Sequence, residues 1–266
     1  MSGEDQYISS TQNPKIKRLL ALQEKSSERR KSGLFVVEGR RELQHCVEAG
    51  YEIESIFKLA SAADAADADF IVSPHVYERI AYRGSTEGVV AIVRAKPHTL
   101  EDLLPSLTGG VGGGSLFIVL ESVEKPGNLG AVLRSADAAG ATAVIVCDPL
   151  TDLYNPNLIR ASIGACFTVP TVACSSEDCI RFLKTHGVQI LTAQLQDSHL
   201  YYDTDMTGPT AIVMGTESTG LTDQWRQAAD AHIRIPMLGR LDSLNVSVSA
   251  AILLFEAVRQ REIKSL

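Results

Sequence analysis

Three short stretches collect residue types able to do chemistry, and each follows directly on an apolar run. The first, ESVEKPGNLGAVLRSADAAG, uses Pro126, Gly127 and Asn128 to open a helix and puts Arg134 two turns inside it. The second, GTESTGL, brackets Glu217 between Gly215 and Gly220. In the third, PMLGRLDSLNVSVSAAI, Pro236 and Gly239 shape a loop and Asp242 or Ser243 is placed to cap a last helix. Taken singly, each has a plain structural use: Asn128, Ser243 and Asn245 as caps, Arg134 as a surface cation. GTESTG is not a G-x-S-x-G nucleophile elbow, since Ser218 falls one position late, and no Walker A lysine motif is present. These residues alone specify a ligand-binding site without a reaction.

The elements around them alternate. Apolar runs at 116–120, 142–147, 168–173, 188–193, 210–215 and 232–237 are separated by helical stretches at 128–139, 155–166, 177–186, 222–229 and 243–263. Near-continuous apolar strands interleaved with helices predict a parallel sheet covered on both faces, with ligands bound beyond the carboxyl ends of the strands. Upstream, strand-like runs at 35–39, 53–60, 69–73 and 88–95, with helices at 40–49 and 74–81, predict a smaller α/β domain. Between them PHTLEDLLPSLTGGVGGGS places five glycines within six residues, so the division expected is 1–97, a glycine-rich linker at 98–114, and 115–266. Those glycines precede their strand and miss the G-x-G-x-x-G register, which argues against a dinucleotide fingerprint and a dehydrogenase.

The 266 residues carry 25 Lys+Arg against 32 Asp+Glu, a net charge of −7 that would ordinarily discourage a polyanionic partner. The mean hides segregation. Residues 14–41 hold nine cations (Lys15, Lys17, Arg18, Lys25, Arg29, Arg30, Lys31, Arg40 and Arg41) against three anions, +6, leaving 16 cations and 29 anions elsewhere, −13. Clustered cations are the usual source of affinity for a phosphate backbone, so nucleic acid becomes the candidate partner. Five cysteines with no C-x-x-C, and six scattered histidines, predict buried free thiols and no metal. No apolar run reaches membrane-spanning length and no signal-peptide core is present, so a cytoplasmic protein with no membrane contact is expected.

Together the three loops carry more than each alone. NLGAVLRSA (128–136), IVMGTESTGL (212–221) and IRIPMLGRLDSLNVSVSAAI (233–252), in that order, resemble the three motifs of the SpoU/TrmH branch of the SPOUT RNA 2′-O-ribose methyltransferases. NPKIK and FVVEGRR in the first domain are similar to the substrate-binding domain of the ribosomal-RNA-modifying members. The resemblance implies an α/β fold whose C-terminal parallel sheet carries a deep trefoil knot, a departure from the rule that chains do not knot. It implies S-adenosylmethionine (SAM) as cofactor, held by Met214, Gly215, Gly220, Ile235, Met237, Leu238 and Leu244. The glycines would let backbone approach the ligand and the apolar residues would flank an adenine. It puts Arg134 near the attacking ribose 2′-hydroxyl, as its base or as a stabiliser of phosphate and developing alkoxide, with Asn128, Glu217, Ser243 and Asn245 positioning it and the RNA. The cations Lys15, Lys17, Arg18, Arg29, Arg30, Lys31, Arg40 and Arg41 would hold RNA.

VSVSAAILLF (246–255) has apolar or small residues on every face and is expected to be buried all round. The family resemblance makes this region part of a homodimer interface. A non-catalytic RNA-binding or ribosome-assembly protein on the same fold is the competing reading. Retention of Arg134, Glu217, Ser243 and Asn245 speaks against it.

Overall fold

A computed structural model describes residues 6–62, 64, 67–81, 87–107, 114–216 and 218–263, with side chains to 261. In chain order the first elements are β1 (Tyr7–Ile8), α1 (Pro14–Glu24), α2 (Ser26–Ser32), β2 (Leu34–Glu38), α3 (Arg40–Glu48), β3 (Ile53–Leu59), β4 (Phe70–Val72), α4 (Pro74–Ile80) and β5 (Val89–Arg94). Then come β6 (Leu116–Glu121), α5 (Pro126–Ala138), β7 (Ala143–Cys147), α6 (Pro156–Ser162), α7 (Ala165–Thr168), β8 (Thr171–Cys174) and α8 (Ser176–Thr185). The last are β9 (Gln189–Ala193), β10 (His199–Leu200), β11 (Thr210–Met214), α9 (Asp223–Ala228), β12 (Ala231–Arg234) and α10 (Val246–Ile263). No helix among the described residues is long and apolar enough to cross a membrane.

Two compact units result, Met1–Lys96 with Asp152–Phe167, and Pro97–Thr151 with Thr168–Leu266. The first has a five-stranded mixed sheet of order β1-β4-β3-β5-β2. Its helices begin where local chemistry dictates: Asn13 accepts from the Lys15 N–H ahead of Pro14, and Ser73 accepts from Val76 ahead of Pro74. Ile16, Leu19 and Leu22 of α1 are buried with Phe57, Val72 and Ile92 of the sheet.

The second unit is a seven-stranded, wholly parallel sheet of order β10-β12-β9-β11-β6-β7-β8. Phe117, Val119, Ile145 and Val213 face a layer that includes Leu183 and Trp225 of α8 and α9. On the alternate residues Ile118, Leu120 and Ile212 are equally buried, and α5 and α10 pack together. From β6 the chain proceeds to β7 on one side, and from β11 it proceeds to β12 on the other. The switch between β6 and β11 is where such sheets open a crevice for ligands.

Three expectations change. The linker at 98–114 is ordered at its start: Glu101–Ser106 forms a 3-10 turn whose Leu103 is fully buried in the parallel-sheet core, while the glycines at 108–113 lie outside the described residues. The single helix expected at 155–166 breaks between α6 and α7, where Ile163 and Gly164 both have positive φ (55° and 86°). This segment joins the first unit because Tyr154 and Phe167 stack on Phe35, with ring centroids 4.4 and 5.9 Å away. Finally, α10 is not buried all round. Val246, Ala250, Leu253, Leu254 and Ala257 are inside, but Val248 and Phe255 are 47% and 48% exposed.

Candidate active site

A cleft of about 140 Å³ opens beyond the carboxyl ends of β9, β11 and β12. Met214 closes β11, Ile235 and Met237 follow β12, and Leu244 lies just before α10, which adds Leu253; all five line it. Gln194, Asp242 and Ser243 supply polar groups. An apolar wall with a few convergent polar side chains suits a flat heteroaromatic ring joined to hydroxyl-bearing and charged parts. The residues thus fit SAM. Ser243 and Leu244 share this wall with Met214, so the second and third loops line one cleft.

A smaller cleft lies beside the β6–β11 switch, lined by Asn128 from the start of α5 with Gly215, Thr216 and Ser218 from the loop after β11. Asn245 Nδ2 donates to Asn128 Oδ1 at 3.2 Å, and Asn245 Oδ1 accepts from the Ser247 N–H at 3.0 Å. Asn245 therefore caps α10 and ties it to the start of α5, so the first and third loops are joined by one side chain.

The loop from Gly215 to Gly220 is drawn tight: the Gly220 N–H reaches Thr216 O at 3.1 Å, and Thr216 Oγ1 accepts from the Thr219 N–H at 3.0 Å. A Cβ on Gly215 would sit 2.5 Å from the Leu221 nitrogen and closer still to the Gly220 carbonyl group. Gly215 is thus required by the loop's own backbone, whereas the sequence suggested approach to a ligand. Gly220 has φ +68° and open space around it. Glu217 lies outside the described residues.

Other expected residues stand apart. Arg134 is exposed on α5 and lines neither cleft, and among the described residues no hydrogen bond or ion pair holds it. Leu238 is 97% exposed and lines neither cleft. In the first unit Lys15 sits 3.9 Å over the Phe70 ring, Arg18 pairs with Glu54 at 2.8 Å, and Arg40 with Asp64 at 2.7 Å. Lys17, Arg30 and Lys31 are exposed, as is Arg41 beside Glu42. Arg29 overturns its expectation. It is buried, bonded to Asp152 at 2.6 Å and to the Leu22 and Gln23 carbonyls, because α2 folds it under the end of α1. Its guanidinium is engaged within the fold and leaves little surface for a phosphate.

Ala193 at the end of β9, with Gln194 and Leu195 after it, also lines the main cleft, and the three were missed. The available signal was their place in a post-strand loop, the same rule that singled out the other three.

Fold and site together define an α/β protein that binds an adenosine-type cofactor at the carboxyl edge of a parallel sheet. Residues 115–255 match the SpoU rRNA Methylase family and residues 13–91 the MRM3-like substrate binding domain. The chain is 41% identical over 183 residues, 68% of its own length and 74% of the relative's, to the 23S rRNA (guanosine-2′-O-)-methyltransferase RlmB of Yersinia pestis. Among solved structures, an RNA 2′-O ribose methyltransferase superposes with a TM-score of 0.82 at 39% identity, over 96% of this chain and 99% of that one. An AdoMet-bound rRNA methyltransferase from Sinorhizobium meliloti gives 0.84 at 30% identity, over 96% and 97%. The chain belongs to the SpoU rRNA methylase family, and so to the SAM-dependent enzymes that methylate the ribose 2′-hydroxyl of RNA.

Proposed function

We propose that this protein methylates the 2′-hydroxyl of a guanosine in 23S ribosomal RNA. The activity of its relatives supports the substrate, and one observation carries the site: loops after β9, β11 and β12 converge on a single cleft with Met214, Ile235, Met237 and Leu244 in its wall. SAM supplies an electrophilic methyl group on its sulfonium. The apolar wall holds the adenosine end, with Gln194, Asp242 and Ser243 orienting the polar parts, so that much of the rate comes from alignment. Asn128 and Asn245, already bonded to each other, would position the RNA backbone, together with Glu217. A solvent-exposed guanidinium is a cation, so Arg134 is assigned to the phosphate and the developing alkoxide. Lys15, Lys17, Arg18, Arg30, Lys31, Arg40 and Arg41 would hold RNA at the first unit.

The same reading includes a homodimer and a knotted C-terminal region. Val248, Ile252 and Phe255 recur at helical spacing along α10 and leave an apolar stripe, which a second copy would cover. A ribosomal substrate puts the enzyme in the cytoplasm. Incubation with labelled SAM and unmodified 23S RNA should yield 2′-O-methylguanosine, with transfer RNA unlabelled and Arg134→Ala inactive while still binding SAM. Absence of SAM binding by calorimetry, or labelling of transfer RNA alone, refutes the reading.

A further inference from the structure

Three cysteines converge away from the clefts. Cys147 ends β7, Cys174 is its direct partner in the parallel register of β8, and Cys179 lies in the first turns of α8. Their three sulfurs all lie within 4.8 Å of one another. Cys147 and Cys179 are fully buried and Cys174 is half-buried, so the cluster is closed by protein except where Cys174 meets solvent. The sequence alone suggested three unrelated core thiols, since 26 residues separate the first two and no C-x-x-C is present.

The spacing suits one metal ion. With metal–sulfur bonds of about 2.3 Å, three thiolates around an ion stand roughly 4 Å apart, within the observed limit and reachable by small side-chain rotations. One end of the cluster also favours negative charge. Cys174 and Cys179 flank the amino-terminal end of the ten-residue helix α8, where free N–H groups and the helix dipole favour negative charge. Hydrogen bonds from Cys147 and Cys179 draw the Cys174 thiol down, while the contact with Cys174 and burial push the Cys147 and Cys179 thiols up, so those two protons leave only as an ion binds. A disulfide would engage two of the sulfurs and leave the third without a task.

We propose that Cys147, Cys174 and Cys179 bind one thiophilic d10 cation, Cu⁺ or Zn²⁺, through three thiolates. Thiolate ligands select these soft ions, and uptake releases the remaining thiol protons to solvent. Cu⁺ is satisfied by three sulfurs; Zn²⁺ completes its four-coordinate shell with a water on the Cys174 side. The ion would clasp β7, β8 and α8 beside a buried network in which Ser176 Oγ donates to Asp148 at 2.6 Å, Trp225 Nε1 donates to Ser176 Oγ at 3.0 Å, and Thr222 donates to Glu121. That network ties α8 to α9 and to the loop after β11, so the ion would stiffen one flank of the catalytic domain without touching SAM.

The test uses the full-length protein, reduced and kept free of oxygen. Titration with Cd²⁺ as an optical probe should give a thiolate-to-metal band that saturates at one equivalent per chain. Zn²⁺, and separately Cu⁺ buffered by a chromogenic chelator, should displace it. Cys174→Ser, at the half-buried position, should weaken binding at least tenfold while keeping the wild-type circular dichroism. Cys46→Ser, outside the cluster, should leave binding unchanged. Sulfur counting by X-ray absorption on the wild type, expected to give three, needs no variant at all. The proposal is overturned if none of the three ions binds, if Cys174→Ser binds as wild type does, or if fewer than three sulfurs are counted. None of these readouts involves methyl transfer.

Discussion

Gly215→Ala offers a sharp test of how the cleft is built. The added methyl falls 2.5 Å from the Leu221 nitrogen and closer to the Gly220 carbonyl group, and ordinary contact begins at 3.4 Å, so the strand end and the Gly220–Leu221 backbone must separate by at least about 0.9 Å. The opposing atoms are backbone and cannot rotate away. Overpacking of this kind costs about 1–3 kcal/mol. Met214 lies immediately before Gly215 in the wall of the main cleft, so the same displacement reaches the ligand, and a shift near 1 Å costs on the order of 10²-fold in rate. Gly220→Ala is the control. It meets nothing within 4 Å and suffers only its φ of +68°, about 1–2 kcal/mol of strain. Denaturant unfolding should therefore show comparable losses for both variants, while SAM calorimetry and single-turnover methylation should fall steeply for Gly215→Ala alone. Gly215→Ala binding SAM within twofold of wild type, at unchanged rate, would mean that the loop yields freely and that its tightness has no part in the site.

Arg261 is fully buried and donates to the carbonyls of Gly114, Ser115, Met206 and Gly208, so Arg261→Ala should cost about 3 kcal/mol or more in chemical denaturation; a loss under about 1 kcal/mol would contradict this. Arg30→Ala with Lys31→Ala should reduce the slope of log affinity for RNA against log salt by about 1.4, two contacts at roughly 0.7 each, whereas Arg29→Ala should lower the melting temperature; an unchanged slope puts the RNA on another surface. Arg40, then Lys58, holds the Asp64 carboxyl well below the usual carboxylate range. A depressed folded value means the stabilisation is full above the unfolded carboxylate value near about 4 and is lost as pH falls below it. Wild type should exceed Asp64→Asn in stability at neutral pH and converge with it in acid, as followed by unfolding midpoints; a gap independent of pH would refute the assignment.

Local rules made much of this protein legible. Apolar runs bounded by turn residues marked β6, β7, β9 and β11 because a strand buried on both faces reads as a continuous apolar stretch. The helix expected at 74–81 starts where Ser73 caps it ahead of Pro74, because a cap bonds to a backbone N–H three residues away, whereas α1 with its Asn13 cap was not read from the sequence. Of the seven residues that the resemblance assigned to SAM, Met214, Ile235, Met237 and Leu244 line the main cleft and Gly215, Gly220 and Leu238 do not, while Ser243, expected to position RNA, lines it as well.

What sequence could not decide depends on which surfaces meet. Arg29 and Arg30 are neighbours of one type, yet one is buried on Asp152 and the other faces solvent, because packing of α2 turns adjacent side chains to opposite sides. Residues 152–167 lie in the middle of the methyltransferase half by sequence and pack on Phe35 of the first unit. The α10 stripe of Val248 and Phe255 has the same composition as its buried face, so periodicity could not tell them apart. Gln194 and Leu195 reach the cleft only because β9 lies between β11 and β12, and Cys147, Cys174 and Cys179 meet only because β7, β8 and α8 do. Sequence determined the local preferences, which act over a few residues. Tertiary structure decided burial and convergence, because these arise from long-range contacts that no single stretch of chain encodes.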